Sequence, residues 1–320
     1  MCQDRLENRL IVGVDIGGTK VAAGLVNASG EIQSQLRLPM MSNASAQDGL
    51  SAVLSAIAVV LQQSKAEISG IGICSPGPLD PTTGIVLNPP NLPCWRNFPL
   101  AEFVRNIHHV PVKVDNDANA AALAEAKWGA GRGYKNVFYA TIGTGIGAGI
   151  VFDGEIYHGR TGAAGEGGHV SVDYRGPQCA CGKPGCIEVF ASGPAIARRA
   201  REKIAAGRYS SMLDLAGGRL TAINGEIVGQ ASAAGDPIAK EVLIETADIL
   251  ALWLGNIIDL LDPEVIVIGG GAAALLTPFF DHLCQRVQKL AVNPRAGEVP
   301  IVHARYGADS GIAGGAALCA

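Results

Sequence analysis

The chain has 320 residues, 48% of them hydrophobic and 17% charged, with a formal net charge of -4. That size and balance suit a globular chain of roughly two domains with a large core. A net negative chain with no basic face is poorly suited to nucleic acid or to an anionic membrane surface, so neither is expected as a partner.

The leading residues, MCQDRLENRL, are polar and mixed in charge, without the apolar core of a signal peptide. Eight cysteines with no secretion signal fit a reducing cytoplasm, where Cys2, Cys74, Cys94, Cys284 and Cys319 are expected as free thiols. Next comes IVGVDIGGTKVAAGLVNASGEI, in which two β-type runs, Leu10 to Val14 and Val21 to Val26, flank a bend at Asp15, Gly17, Gly18, Thr19 and Lys20. A turn at Gly30 leads to a third strand. Glycines in such a bend let backbone N–H groups approach an anion, Thr19 offers a hydroxyl, and Asp15 is placed to hold a water of Mg²⁺. Alone, a glycine turn between strands is more often only a turn, and this one lacks the strand, long loop and helix of a Walker motif.

Ser45 to Ser64 reads as an amphipathic helix and Ile68 to Cys74 as a strand that ends at Ser75-Pro76-Gly77-Pro78. The break at Gly77 and Pro78, and the loop NPPNLPCW from Asn88 to Trp95 with Asn91 in it, are expected to be irregular and to line a pocket. A plain surface loop explains any single residue there equally well. Strand Val112 to Val114 then runs into Asp115-Asn116-Asp117-Ala118-Asn119 and an alanine-rich helix to about Trp128. Helix capping accounts for one polar residue at that start, but not for three in a row. An aspartate at the positive end of the helix dipole is favoured as the anion, so Asp117 is placed to accept a hydroxyl proton, with Asn116 anchoring a neighbouring hydroxyl.

A second copy of the first plan follows in VFYATIGTGIGAGIVFDGEI: strand, bend at Gly143, Thr144 and Gly145, strand, tight Asp153-Gly154 turn, strand. Two such hairpins imply a duplicated fold. Two bends can hold a polyphosphate from both sides, which one cannot.

The stretch EGGHVSVDYRGPQCACGKPGCIE, Glu166 to Glu188, places His169, Cys179, Cys181 and Cys186 close enough to surround one ion, with a carboxylate at each end. One imidazole and three thiolates suit tetrahedral Zn²⁺, and four protein ligands leave no open position, so the expected role is structural. Its task would be to stiffen a glycine-rich loop and so fix Glu166 and Glu188. A disulfide with a spare thiol, or a zinc ribbon for nucleic acid, fits the tight spacing and the scarcity of nearby basic residues less well.

Further on, Arg198, Arg199, Arg201 and Lys203 read as a solvated helix face on a helix beginning near Pro194. The most apolar stretch, Ile249 to Leu261, is interrupted by Asn256 and Asp259 and falls short of the roughly 20 residues of a membrane span. It is expected as a buried helix. Strand Val265 to Ile268 meets Gly269-Gly270-Gly271 and an expected helix, an arrangement suited to an anion or nucleotide edge. The small-residue segment after Gly307 is expected to pack backbone-close and return to the first lobe.

DIGGTK, NDAN, the Gly-Thr-Gly hairpin, E-x-G-H followed by C-x-C-G-x-x-G-C-x-E, and the GGG turn occur here in the order seen in the ROK family of sugar kinases and repressors, which the chain resembles over essentially its whole length. The resemblance implies an α/β, two-lobed, actin-like or hexokinase-type fold built on RNase H-like lobes. The small lobe would be residues 1–121 completed by 306–320, and the large lobe 122–305 with the zinc loop 166–188. It implies Asp117 as catalytic base and Asn116, Glu166, His169 and Glu188 as sugar ligands, with Gly77, Pro78 and Asn91 on the wall. ATP with Mg²⁺ would lie against Asp15 to Lys20, Gly143 to Gly145 and Gly269 to Gly271, and Zn²⁺ on His169, Cys179, Cys181 and Cys186. Gly167 stands where the family commonly has a bulkier apolar residue, which bears on the path of the loop.

The implied reaction is ATP-dependent phosphorylation of a hexose 6-hydroxyl, with glucose preferred and N-acetylmannosamine, mannose, allose and fructose as alternatives. Polyphosphate as donor and a non-catalytic sugar sensor stay open. A cytoplasmic homodimer or homotetramer is expected. The repressors carry an N-terminal winged helix-turn-helix, and the phosphate hairpin here begins within the first 15 positions, too early to leave room for one.

Overall fold

The computed structural model describes residues 9–320, so Cys2 and most of the leading polar segment lie outside the described residues. In chain order the strands and main helices are β1 (Leu10–Ile16), β2 (Lys20–Val26), β3 (Ile32–Pro39), α1 (Ala46–Leu61), β4 (Ile68–Ser75), β5 (Leu79–Asp80), β6 (Ile85–Val86), α2 (Leu100–His108), β7 (Val112–Asn116) and α3 (Asp117–Lys127). They continue with β8 (Val137–Ile142), β9 (Ile146–Phe152), β10 (Glu155–Ile156), α4 (Glu188–Ala191), α5 (Gly193–Ala205), α6 (Pro237–Leu261), β11 (Val265–Gly269), α7 (Phe280–Leu290), β12 (Ile301–His303) and α8 (Ser310–Cys319).

Two compact units result. Among the described residues, one comprises 9–139, Gly149–Gly165 and Ala304–Ala320; the other comprises Ala140–Ala148 and Glu166–His303. A division after residue 121 would cut α3 in half. The helix is one hydrogen-bonded body, and the first unit keeps all of it.

The first sheet has the order β3-β2-β1-β4-β7, the second β10-β9-β8-β11-β12. Numbered within each sheet, both read 3-2-1-4-5, the duplication that the paired hairpins implied. In the first unit β1 alternates strictly. Leu10, Val12, Val14 and Ile16 enter a core with Leu50, Val53, Ile57 and Val60 of α1, each such buried side chain contributing roughly 1.5–3 kcal/mol. Ser45 starts α1 through a capping box with Asp48.

The opposite face of β1 lies under α8. Gly13 pairs with Gly72 of β4, and a Cβ on either would sit 1.9 Å from Ile312 O or 1.7 Å from Gly315 O. No residue but glycine fits, and the helix backbone rests directly on the sheet. The far end of α3 is clamped too, since buried Glu125 accepts the N–H groups of Ala130, Arg305 and Tyr306.

Three expectations change. Leu92 and Trp95, in the loop expected to line a pocket, are fully buried; Trp95 stacks on Phe98 at 5.0 Å and donates to Ala46 O. That loop has no regular backbone, but it plugs the core below α1. The basic run on α5 is a seam, not a solvated face: Arg199 meets Glu245, and Lys203 meets Glu241 and Glu245, all on α6. Gly269–Gly271 leads into a 3-10 stretch, Ala273–Phe279, before the α-helix begins at Phe280. Helix α6 does bury the apolar stretch from Ile249, and no helix among the described residues is long and apolar enough to cross a membrane.

Candidate active site

In the first unit, the bend after β1 is closed by Gly17 N–H donating to Lys20 O at 2.8 Å. Thr19 and Lys20 are exposed. Asn91 packs its backbone beside Gly18, where a Cβ would lie 2.9 Å from Asn91 O. Asp15 sits one residue before the end of β1, against Gly311 of α8. Burial chiefly, and then the charge of Asp117, raise its carboxyl to about 6. Asp15 and Asp117 therefore sense one another electrostatically, and a cation placed there would relieve both.

The β7–α3 corner is built from consecutive side chains. Asn116 caps α3, its Oδ1 accepting from the N–H groups of Ala118 at 2.9 Å and Asn119 at 3.4 Å. Asp117 is the first residue of the helix and is exposed, with Oδ1 also accepting from Ala118 N–H at 2.8 Å. Gly77, in a cis peptide with Pro78, adjoins the corner: a Cβ there would lie 3.6 Å from Asn116 Nδ2. Sequence reasoning did not single out Asp115 or His158. Asp115 is buried and lies 2.6 Å from His158 Nε2; that hydrogen bond raises the histidine above its ordinary range. The partners are 43 residues apart, so no local pattern announces them.

In the second unit, the bend at Gly143–Gly145 is supported from three directions. Gly143 O accepts from Gly193 N–H at 2.8 Å, where α5 starts, and Ile142 O accepts from Ala272 N–H at 2.9 Å. Gly270 lies against the Ile142 backbone with φ 94°, a conformation and closeness that glycine alone tolerates. The two glycine turns are thus brought side by side. From the third side, Glu188 Oε2 accepts from Ile146 N–H at 2.9 Å. Glu166 is exposed and its carbonyl closes the 3-10 turn Gly167–His169 by accepting from His169 N–H. Gly168 rests on Ile146 O, leaving no room for a Cβ.

That turn delivers His169 to the cysteines. The ligand atoms of His169, Cys179, Cys181 and Cys186 all lie within 4.8 Å of one another. Cys179 Sγ is 3.6 Å from His169 Nδ1, and Cys181 Sγ is 3.6 Å from Cys186 Sγ. A zinc tetrahedron with the usual bond lengths has S–S edges of roughly 3.8 Å and S–N edges of roughly 3.6 Å, so the spacing fits the ion. The chemistry fits as well. Burial, and then the neighbouring thiols, push Cys186 up to about 12, a penalty that a divalent cation removes. Cys74, Cys94, Cys284 and Cys319 are free.

The ROK family model matches residues 11–320. The chain belongs to the ROK family. A relative named glucokinase, from Halalkalibacterium halodurans, is 36% identical over 318 residues, covering 97% of this chain and 94% of its own. The crystal structure of a ROK family glucokinase from Streptomyces griseus, in complex with glucose and AMPPNP, superposes with a TM-score of 0.81 at 34% identity over 97% of this chain and 98% of that one. A ROK family transcriptional regulator, a homologue of the E. coli MLC protein, superposes with a TM-score of 0.86 at 28% identity over 98% of this chain and 78% of that one. The fold is the hexokinase type of ROK proteins, with the His/Cys3 cluster in its second unit.

Proposed function

We propose that this ROK protein is a sugar kinase that transfers a phosphoryl group from ATP to the 6-hydroxyl of a hexose, with glucose as the preferred acceptor. The observation that carries this reading is Asp117, an exposed carboxylate at the first position of α3 beside the capping Asn116, in a chain that a glucokinase matches over nearly its full length.

Asp117 accepts the proton of the attacking hydroxyl. Asn116, Glu166, His169 and Glu188 hold the other sugar hydroxyls, and Gly77, Pro78 and Asn91 border the sugar. Glu188 has one oxygen engaged by Ile146 N–H, which fixes the direction of the other. Backbone N–H groups at Gly18, Gly145, Gly270 and Gly271 receive the phosphates, in bends that Gly17 and Gly143 close through their own N–H groups, with the Thr19 and Thr144 hydroxyls and the Lys20 ammonium beside them and Gly269 setting the last turn. Asp15 would hold Mg²⁺ through a water; bound with ATP, that ion supplies neutralisation of the phosphoryl oxygens. His169, Cys179, Cys181 and Cys186 would hold a structural zinc, leaving the other ring nitrogen of His169 for the sugar.

A coupled ADP-release assay over hexoses and N-acetylhexosamines tests the reading, with glucose expected to give the highest kcat/KM. No acceptor-dependent ADP with any of them would sink it in favour of a sugar sensor. Asp117→Asn should lower kcat by roughly 10²–10⁴-fold while calorimetry still detects sugar binding. Near-normal turnover would remove Asp117 as the base.

A further inference from the structure

The geometry points to His158 as a positioning residue that holds the Asn116–Asp117 corner in its working shape through the buried carboxylate of Asp115. This rests on the kinase reading for its consequence, though not for its geometry.

Asp115 is only 4% exposed, and a buried carboxylate has to be satisfied on both oxygens. Its Oδ1 accepts from Asn116 N–H at 2.7 Å and from Asn119 Nδ2 at 3.2 Å. Those two residues flank Asp117. Its Oδ2 meets His158 Nε2 at 2.6 Å. Asp115 therefore braces the residue before and the residue two after the proposed base, and His158 reaches it from another segment of the chain. Removing the imidazole would take away the partner of Oδ2 and open it to the cavity that Asp115 and His158 both line, and the carboxylate would turn toward that solvent, releasing Asn116 and Asn119.

The segment that carries His158 belongs to the same unit. His158 O accepts from Ala164 N–H at 3.1 Å, closing a loop that uses left-handed glycines at Gly159 (φ 66°), Gly162 (φ 82°) and Gly165 (φ 92°). Such a loop has little stiffness of its own. The His158–Asp115 contact anchors its start, and Glu166 follows its last residue directly. One side-chain pair thus sets both the shape of the base corner and the origin of the segment leading to a proposed sugar ligand. His158 also lines a cavity of about 630 Å³, so a differently shaped side chain meets no steric bar there.

The test compares His158→Ala with His158→Gln in the full chain. Glutamine keeps an N–H donor for Asp115. His158→Ala should lower kcat roughly 10–100-fold with the KM for ATP little changed, and His158→Gln should recover most of that loss. Hydrogen exchange provides a readout independent of turnover: the Ala118 and Asn119 amides, capped by Asn116, should exchange about tenfold faster in His158→Ala, with α1 amides unchanged. Unaltered exchange at Ala118 and Asn119, or equal loss of kcat in both variants, overturns the assignment. A wild-type protein without kinase activity would defeat the proposed function alone, and the exchange comparison would still decide the role of His158.

Discussion

The bend at Gly17–Lys20 and the bend at Gly143–Gly145 close hairpins in sheets of the same strand order, but they are supported by different means. Behind the first stands a charge: Asp15 is held under α8, with its carboxyl raised to about 6. The corresponding residue of the second hairpin, two before the bend, is the neutral Thr141. Behind the second bend stands a scaffold instead, made of Gly270, Gly193 and Glu188, with Cys186 of the His/Cys3 cluster two residues before Glu188. Duplication preserved the path of the chain while electrostatic duty went to one copy and rigid support to the other. Prediction follows from that division: damage to the scaffold should be read in sugar handling, and damage to the charge in pH.

Between the two bends, the largest kinetic effect is expected from breaking the scaffold. Chelation, or Cys181→Ser, should release zinc and raise the KM for sugar roughly 10–100-fold, leaving the KM for ATP comparatively unmoved. Steady-state kinetics alongside metal analysis checks this; full activity in a metal-free preparation would mean that the second bend needs no such brace. Next comes the charge. Because the folded-state carboxyl of Asp15 is raised to about 6, its ionised form costs the fold stability. That cost is absent below the ordinary carboxylate range and complete above about pH 6. Asp15→Asn should therefore stabilise the protein by up to about 3 kcal/mol at pH 8 and by only about 0.5 kcal/mol at pH 4, while catalysis falls. Urea denaturation at the two pH values measures it; equal gains at both would show that burial of the carboxylate is not the cause.

What could be read from the sequence was whatever lies close along the chain. The glycine bends, the cap at Asn116, and the spacing of Cys179, Cys181 and Cys186 each declare themselves within a few residues, because turn chemistry and ligand geometry are local. Pairings made by topology were silent. Asp115 finds His158 43 residues on, Glu125 finds Arg305 across 180, and Gly13 and Gly72 have meaning only once α8 lies over them. The loop from Asn88 to Trp95 misled in an instructive way. Prolines report that its backbone is irregular, but whether Leu92 and Trp95 turn inward depends on the gap beneath α1, which no window of sequence contains. Arg199 and Lys203 were likewise placed in solvent because their partners on α6 lie about 40 residues downstream.

The finest test separates two glycines of one bend. A Cβ at Gly145 would come within 2.5 Å of Glu188 Oε2, whereas nothing lies within 4 Å of a Cβ at Gly143. Gly145→Ala must push the Glu188 carboxylate aside and strip the acceptor from Ile146 N–H; leaving that donor unsatisfied costs about 1–3 kcal/mol. Its expected signature is a rise of about tenfold in the KM for sugar, the equivalent of about 1.4 kcal/mol. Gly143→Ala, with open space to enter, should change stability by no more than about 0.5 kcal/mol and leave the sugar KM in place. If the two variants behave alike, the second bend acts on its ligand directly and Glu188 does not depend on it. If only Gly145→Ala moves the sugar KM, the bend and the carboxylate work as one part, and a neutral hairpin has acquired its charge from a neighbouring helix.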